Sequence, residues 1–262
     1  ATRTAAVSPG ASARRFLFES FRFLLAGAGS YWPALMRKRT LILSLAAAGL
    51  GLAVTGCWTP GQYEAKTELF NGKDLEGWKY VLADPNVRMD QVWSVQDGIL
   101  TCQGEPVGFL FKDPEATDFR LIVEYRWAPD AKPGNSGIFS RIHGTLKPLP
   151  PAVEVQLKHG SAGDVLGLQG TEVAGGQERF FEVKKHALAG DIAGVKAASN
   201  NEKPAGEWNR VEILAQGPRY QVKMNGKVVN EVDGVEVVPG RIGLQSEGGV
   251  IQFRRVTLYR LF

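Results

Sequence analysis

The sequence has 262 residues, of which 44% are hydrophobic and 22% charged, with 31 Lys and Arg residues against 27 Asp and Glu residues. Seven of the basic residues but only one acidic residue lie in residues 1–56, so residues 57–262 contain 24 basic and 26 acidic residues, a net charge of about −2. This balance excludes the positive field that a nucleic-acid-binding domain needs.

The amino-terminal part of the sequence has the features of an export signal. The basic stretch "MRKR" at residues 36–39 precedes an apolar run over residues 41–56, which at 16 residues is shorter than the about 20 that a membrane span needs. A basic region, a short apolar region and small residues before a cleavage site form a secretory signal. The run ends in "VTGC", which resembles the lipobox of bacterial lipoproteins. The resemblance implies that Cys57 is lipidated and that the protein is exported and membrane-anchored, in the periplasm or at the cell surface.

Four segments are expected along the chain. Residues 1–35 are interpreted as a non-native upstream extension, because Met36, the first residue of the basic stretch, resembles a start. Residues 36–57 form the signal peptide and lipobox, residues 58–66 a polar tether, and residues 67–262 a single domain with a large core. Three alternatives stay open for the amino-terminal part: an ordinary signal peptide, an anchor helix, or a twin-arginine signal at Arg14-Arg15.

Strand patterns dominate from residue 67 onward. The alternation in "DFRLIVEYRWAP" places five apolar residues on one face of a strand: Phe119, Leu121, Val123, Tyr125 and Trp127. In "YQVKMNGKVVNEV" two extended runs are joined by Asn225-Gly226, a strong hairpin signal because both turn positions need positive φ. Further strands are predicted in "EWNRVEILAQ", "GRIGLQSE" and "VIQFRRVTLY". Many short strands with Gly- and Pro-rich turns predict a two-sheet β-sandwich.

Two features stand apart from this pattern. Residues 158–206 are rich in Gly, Ala and Lys with weak periodicity, which predicts a long functional or mobile loop in which "ERFFEVKKHA" is a short strand or helix. Cys102 lies in the alternating stretch "GILTCQG" and is the one cysteine left beside Cys57. We therefore expect no internal disulfide, and a buried Cys102 that fills space rather than acting as a nucleophile.

Two segments concentrate residues that could carry chemistry. In "PAVEVQLKHG" the period of two puts Glu154, Gln156 and Lys158 on one face. In "NSGIFSRIHG" it groups Phe139, Arg141 and His143. If both polar rows line one concave sheet face, Glu154, Gln156, Arg141 and His143 converge there, which suits hydrogen bonds to sugar hydroxyls or proton abstraction. The alternative is a solvated outer face with a Glu154–Arg141 surface ion pair.

Seven stretches, in this order, resemble one known family: "LFNGKDLEGWKY", "VWSVQDGILTCQG", "GFLFKDPEATDFRLIVEYRWAPDAKPGNSGIFSR", "VEVQL", "PAGEWNRVEI", "MNGKVV" and "GRIGLQSEGGVIQFRRVTLY". It is the domain of unknown function 1080 family, also described as the 3-keto-disaccharide hydrolase domain, and the resemblance covers residues 67–262. It implies an all-β, concanavalin A-like jelly-roll sandwich of two antiparallel sheets. It also implies action on 3-keto-glycosides: proton abstraction at C2, elimination at C1 and hydration.

The resemblance also suggests roles for individual residues. The family pattern falls on Asn135, Ser136, Arg141, Glu154 and Gln156. Glu154 is then the expected base or metal ligand, Arg141 the group that orients substrate or stabilises enolate charge, and Gln156 a ligand of hydroxyls. Asn135 and Ser136 are expected to bind substrate.

Further candidate residues lie outside this family pattern. His143 is a catalytic candidate and Lys158 a substrate-binding candidate. Trp208 and Trp93 are possible sugar-stacking platforms, although a tryptophan more often fills a core. The sequence departs from the family at Lys158, where an acid is common, and at "SEGG", residues 246–249, where His-Gly is common.

No cofactor is certain, but one metal hypothesis remains. His143, His159 and His186 would permit a divalent metal ion that polarises the ketone, although their spacings match no local metal motif. Three functions compete: a 3-keto-glycoside hydrolase or lyase/hydratase, a non-catalytic membrane-tethered carbohydrate-binding module, and a structural lipoprotein without ligand. The expected partners are an oligosaccharide or 3-keto-glycoside and, through the lipid, a membrane, but no nucleic acid.

Overall fold

A computed structural model of the chain describes residues 63–175 and 178–261. The expectations for the extension, the signal peptide and Cys57 lie outside the described residues. The described part contains sixteen strands and one short helix, α1 (Met89–Val92). In chain order the strands are β1 (Tyr63–Glu68), β2 (Trp78–Leu82), β3 (Trp93–Gln96), β4 (Ile99–Cys102), β5 (Gly108–Ala116), β6 (Phe119–Trp127), β7 (Gly137–Ile142), β8 (Ala152–Gln156), β9 (Val165–Leu168), β10 (Phe180–His186), β11 (Gly190–Val195), β12 (Asn209–Gln216), β13 (Arg219–Met224), β14 (Lys227–Val232), β15 (Gly240–Ser246) and β16 (Ile251–Leu261).

The strands form two antiparallel sheets of eight strands each. The first sheet has the order β14-β13-β12-β6-β16-β4-β3, with β1 also paired to β16. The second has the order β10-β11-β9-β8-β7-β15-β5-β2. This confirms the predicted all-β, jelly-roll sandwich. All strand partners lie within residues 63–261, so a chain that begins at residue 58 contains both sheets in full.

The main core lies between the two sheets. The five apolar residues predicted to share a face on β6 are all buried, and β12 continues this face with Ile213 opposite Leu121 and Val211 opposite Val123. Ile138 and Val153 of the second sheet belong to the same apolar cluster. Each such side chain contributes about 1.5–3 kcal/mol through burial.

The hairpin prediction is confirmed. Asn225 and Gly226 form the two-residue connection between β13 and β14, with φ of 51° and 83°. Positive φ at both positions is the condition for the type I′ turn, whose twist matches that of the flanking strands.

The expectation of a long irregular loop over residues 158–206 is wrong, because this segment contains β9, β10 and β11 at one edge of the second sheet. The strand alternative for "ERFFEVKKHA" is confirmed as β10. Glycines obscure the sequence pattern here. A Cβ on Gly167 would meet the backbone of Thr171, and one on Gly194 would meet the ring of Phe181. Close packing therefore removes side chains that would otherwise show the alternation.

A second apolar cluster covers the outer face of the second sheet, away from the main core. It includes Phe109, Phe139, Ile142 and Leu166.

Cys102 is a free cysteine in the main core, as expected, and burial raises the pKa of its thiol. Among the described residues, no helix has the length and apolar character to cross a membrane.

Candidate functional site

Glu154 lies on the outer face of the second sheet. On β8 it stands opposite Phe139 of β7 and Leu166 of β9, both members of the outer apolar cluster. The residue is 3% exposed, and its Oε1 is buried without a hydrogen-bond partner among the described residues. An unpaired buried carboxyl oxygen costs free energy, so it needs a functional or ligand-based explanation.

Gly137 makes room for this carboxyl group. A Cβ at residue 137 would come closer than 3.0 Å to Oε1, Cδ and Cγ of Glu154. The Glu154 side chain therefore lies across the backbone of β7, in a space that a larger residue would fill. The absence of a side chain at this position is what allows Glu154 to reach toward β15.

A second carboxylate, Glu247, lies just beyond β15 in the same region. Nε2 of Gln245 donates to Oε2 of Glu247 at 2.7 Å, and the Asn135 side chain also hydrogen-bonds to Glu247. Gln245 Oε1 and Asn135 Oδ1 are buried and have no partner among the described residues. Together with Glu154 Oε1 they form a group of buried polar oxygens without partners among the described residues, which a ligand rich in hydroxyl groups could satisfy by donating or accepting hydrogen bonds.

The two carboxyl groups differ in their electrostatic surroundings. Burial raises the pKa of Glu154 well above its ordinary value, and the negative charges of Glu247 and Asp164 raise it further. Burial also raises the pKa of Glu247, but the hydrogen bond from Asn135, the charge of Lys158 and the hydrogen bond from Gln245 oppose this. Burial thus favours the protonated form of Glu154, whereas the surrounding donors and Lys158 favour the ionised form of Glu247, an asymmetry typical of acid–base pairs.

Arg141 does not share the face of Glu154, and that expectation is wrong. A β-bulge interrupts the alternation of β7, because the register with β15 shifts between Arg241 and Gly243 and Arg141 adopts φ of 51°. As a result Ile142, rather than Arg141, lies in the outer cluster with Phe139.

The guanidinium of Arg141 is fully buried elsewhere. It donates to the carbonyl oxygens of Thr117, Gly217 and Glu236 and lies 5.0 Å from the ring centroid of Tyr220. These contacts join the turns at one end of the sandwich. Arg141 is therefore a structural residue, whose guanidinium group donates hydrogen bonds to buried backbone carbonyl oxygens.

Two further predicted residues flank strand β7, Ser136 before it and His143 after it. His143 lies beside Arg141. Its Nδ1 is 2.8 Å from the Arg141 carbonyl oxygen, and its Nε2 is 3.9 Å from Oε1 of Glu236. Ser136 is buried, and its hydroxyl donates to the carbonyl oxygen of Gln245 at 2.8 Å. That bond fixes the end of β7 against β15, which holds Asn135 beside Glu247.

Gln156 and Lys158 border the site. Gln156 stands opposite Gly137, and its Oε1 accepts hydrogen bonds from the backbone N–H groups of Leu157 and Lys158. Lys158 is exposed and close enough to Glu247 to lower the pKa of that carboxyl group. The structure thus brings Asn135, Glu154, Gln156 and Lys158 together.

The tryptophans lie elsewhere. Trp208 directly precedes β12 of the first sheet, with the guanidinium carbons of Arg126 and Arg254 at 4.6 and 4.5 Å from its ring centroid. Trp93 is a member of the main core.

The histidines each have a separate partner. His159 Nδ1 lies 3.0 Å from Oε2 of Glu202, and His186 Nδ1 accepts from the backbone N–H of Ala189. Among the described residues, no group of three or more His, Cys, Asp or Glu side chains is arranged to hold a metal ion.

Sequence reasoning missed three residues of this region. Glu247 was noticed only as a departure from the family pattern, and Gln245 only as part of a strand. Glu202 follows β11 in an irregular segment without any pattern. Its side chain is 1% exposed and accepts hydrogen bonds from the Tyr125 hydroxyl and the Trp127 indole, as well as from the backbone N–H of Gly160.

A surface groove of about 410 Å³ lies away from Glu154. Thr117, Asp118, Gly217 and Arg260 are among its lining residues, so it sits above the buried guanidinium of Arg141. The convergence of unpaired polar atoms, rather than this groove, identifies the candidate site.

A family model described as the 3-keto-alpha-glucoside-1,2-lyase-like domain matches residues 65–259. The chain belongs to this family. The match begins within β1 and ends within β16, and so contains all of strands β2 to β15 of this 3-keto-alpha-glucoside-1,2-lyase-like domain. No curated protein matches the sequence.

Solved structures share the fold of this lyase-like domain. Two proteins from Parabacteroides distasonis, both provisionally assigned as glycosyl hydrolases, match with TM-scores of 0.54 and 0.52 at 19% and 24% identity. The first match covers 75% of this chain and 94% of the other, and the second covers 76% and 100%. A variant of LamA from Zobellia galactanivorans, in complex with laminaritriose and laminaritetraose, matches with a TM-score of 0.50 at 10% identity, over 77% of this chain and all of the other.

Proposed function

We propose that the domain acts on 3-keto-glycosides, by proton abstraction at C2, elimination at C1 and hydration of the product. The observation that carries the proposal is the buried carboxyl group of Glu154, whose Oε1 has no hydrogen-bond partner among the described residues and which lies close enough to Glu247 for that charge to raise its pKa. The family match to 3-keto-alpha-glucoside-1,2-lyase-like domains supports the substrate class. The oligosaccharides bound to the structurally similar LamA support a carbohydrate ligand on this fold.

The ketone makes this chemistry possible. A carbonyl at C3 acidifies the hydrogen at C2, so a carboxylate can remove it as an enolate forms at the C3 oxygen. The glycosidic oxygen then leaves from C1 and takes up a proton, which gives an alcohol and an unsaturated keto sugar. Addition of water across the C1–C2 double bond completes a net hydrolysis. This route needs one base and one acid placed for elimination, which differs from the carboxylate spacing rules of ordinary glycosidases.

We assign the base to Glu247 and the acid to Glu154. The sequence alone favoured Glu154 as base, but its burial stabilises the protonated form, which donates rather than accepts a proton. Glu247 receives hydrogen bonds from Asn135 and Gln245 and lies near the charge of Lys158, all of which favour its ionised form. Lys158 is also suited to stabilise the negative charge that develops on the C3 oxygen.

The direct test is turnover by purified residues 58–262. We expect release of free sugar and of a 3-keto-glucal from a 3-keto-disaccharide, and no reaction with the unoxidised disaccharide. Glu247→Gln and Glu154→Gln should each lower kcat by about 10²–10⁴-fold. Glu207→Gln, which changes an exposed glutamate, is the matched control and should leave kcat unchanged.

Two results would contradict the proposal. Binding of oligosaccharide without turnover would identify the domain as a carbohydrate-binding module. Absence of both binding and turnover would indicate a structural protein. Chelators test the metal hypothesis separately. A turnover rate that is unchanged after chelation would show that the reaction does not use a divalent metal ion.

We also propose that Cys57 carries a lipid that holds the protein at a membrane. The support is the sequence pattern around Cys57. Cys57→Ser should move the protein from the membrane fraction to the soluble fraction. Retention in the membrane would mean that the apolar run itself is the anchor.

A further inference from the structure

The outer face of the first sheet carries a dense group of arginines. It lies on the opposite side of the sandwich from Glu154, because both outer faces point away from the core between the sheets. We call it the arginine face, and define it by Arg120, Arg126, Trp208, Arg210, Arg254 and Arg255, which come from β6, β12, β16 and the residue before β12.

The acids of this face do not balance its arginines. Glu124 pairs with Arg254 at 2.7 Å and also with Arg210 and Arg255, and Glu212 pairs with Arg120 and Arg210. These side chains differ in depth: Glu124 and Glu212 are 16% and 19% exposed, whereas the four arginines paired with them are 29–46% exposed. A third acid, Glu68 of β1, is 43% exposed at the edge of this face, where it pairs with Lys66 and lies near Arg255. Basic groups therefore still outnumber acids on this face, although residues 57–262 as a whole are slightly acidic.

Trp208 lies among these charges. Its ring is half-buried, between the guanidinium groups of Arg126 and Arg254 at 4.6 and 4.5 Å from the ring centroid. Arg126 Nε donates to the neutral amide oxygen of Gln252 at 2.7 Å. An indole flanked by arginines combines apolar surface with positive charge, as at membrane–water interfaces.

The amino-terminal strand borders the same face. Strand β1 pairs with β16, with Lys66 opposite Tyr259, and the Lys66 side chain is exposed. Tyr63, the first described residue, follows Cys57 by six residues, which span about 20 Å at most. A lipid on Cys57 would therefore hold this edge of the first sheet close to the membrane surface.

We propose that the arginine face lies against anionic lipid headgroups. Guanidinium groups bind phosphate through paired N–H donors, and each basic residue near an anionic surface contributes to the attraction. In this orientation the outer face of the second sheet, with Glu154 and Glu247, is directed toward solvent. The proposal goes beyond the reaction and does not depend on it, and the lipid-free domain tests it without Cys57.

The test is co-sedimentation of residues 58–262 with vesicles. We expect binding to vesicles of phosphatidylcholine and phosphatidylglycerol in equal amounts at about 0.05 M salt, loss of binding at about 0.5 M salt, and no binding to phosphatidylcholine alone. Arg126→Gln/Arg254→Gln should weaken binding roughly 30-fold, since each charge contributes about 1 kcal/mol.

The control variant removes two charges from elsewhere on the surface. Arg88→Gln/Lys184→Gln changes exposed residues next to α1 and on β10, and should bind like the unmodified domain. A second arginine-face variant, Arg210→Gln/Arg255→Gln, removes two charges without changing the arginines that contact Trp208, and it should weaken binding in the same way. Circular dichroism checks that both variants are folded.

Three outcomes would overturn the proposal. They are equal binding to neutral and anionic vesicles, equal weakening by the control variant, and absence of vesicle binding while a soluble anionic polysaccharide such as heparin still binds. The last outcome would mean that the face recognises an anionic polymer instead of a lipid surface.

Discussion

The carboxyl group of Glu154 lies directly over the backbone of Gly137, where a side chain at residue 137 would overlap Oε1, Cδ and Cγ of Glu154. Because β7 lies between β8 and β15, this missing side chain opens the way from Glu154 toward Glu247. The pairing of the two carboxyl groups therefore depends on a glycine that itself carries no chemistry.

Gly137→Ala should destabilise the protein by about 1–3 kcal/mol and lower turnover, since the added methyl group displaces the Glu154 carboxyl group. Urea unfolding and kcat measure the two effects. In a Glu154→Ala background the same substitution should cost little, because the overlapping atoms are gone. Equal costs in both backgrounds would show that the strain at residue 137 does not involve Glu154.

Glu154→Gln should change how stability depends on pH. The pKa of Glu154 is raised from its ordinary value of 4.5, so above about pH 4.5 the folded protein binds more protons than the unfolded chain. The stability contributed by protonated Glu154 is therefore complete below this pH and is lost as pH rises through the folded-state pKa. Glutamine cannot ionise, so the variant should become more stable than the unmodified protein as pH rises, by up to about 1.4 kcal/mol per pH unit.

Urea unfolding between about pH 5 and 9 measures this difference. A pH-independent difference between Glu154→Gln and the unmodified protein over this range would mean that Glu154 is ionised in the folded protein and cannot be the resting acid.

Arg141→Ala should destabilise the fold by about 3 kcal/mol or more, because it leaves the carbonyl oxygens of Thr117, Gly217 and Glu236 buried without their donor. Arg141→Lys should rescue only part of the loss, since an ammonium group lacks the planar fork of donors. Arg88→Ala, at an exposed position, should cost less than about 0.5 kcal/mol. A folded Arg141→Lys protein with normal stability but strongly reduced kcat would instead support a catalytic role.

Glu202→Ala should destabilise the protein by about 2 kcal/mol or more, because the Tyr125 hydroxyl and the Trp127 indole lose their buried acceptor. The same carboxylate holds the backbone of Gly160 and the ring of His159, close to Lys158. Tryptophan fluorescence during unfolding reports the loss. Unchanged stability would mean that water replaces the carboxylate at these donors.

Local patterns predicted most of the first sheet. The alternation over β6 and the Asn225-Gly226 turn were both confirmed, because each depends on neighbouring residues along the chain. The same rule failed at Arg141, where one extra residue in β7 reverses the faces of the strand. It also failed over β9–β11, where glycines that fit against other strands replace the apolar residues of a regular pattern.

The sequence by itself determined that the chain is an all-β sandwich of a recognisable family, since strand period and turn residues act over a few positions. Tertiary structure alone decided the chemistry of the site. Glu154 and Glu247 are about 90 residues apart in the chain and approach only through the order β8-β7-β15. Burial beneath neighbouring strands raises the pKa of Glu154, and hydrogen bonds and charge from other segments keep Glu247 more readily ionised. The sequence gives the identities of these residues. The desolvation of one carboxyl group and the hydrogen bonds to the other arise only from contacts between segments that are distant along the chain.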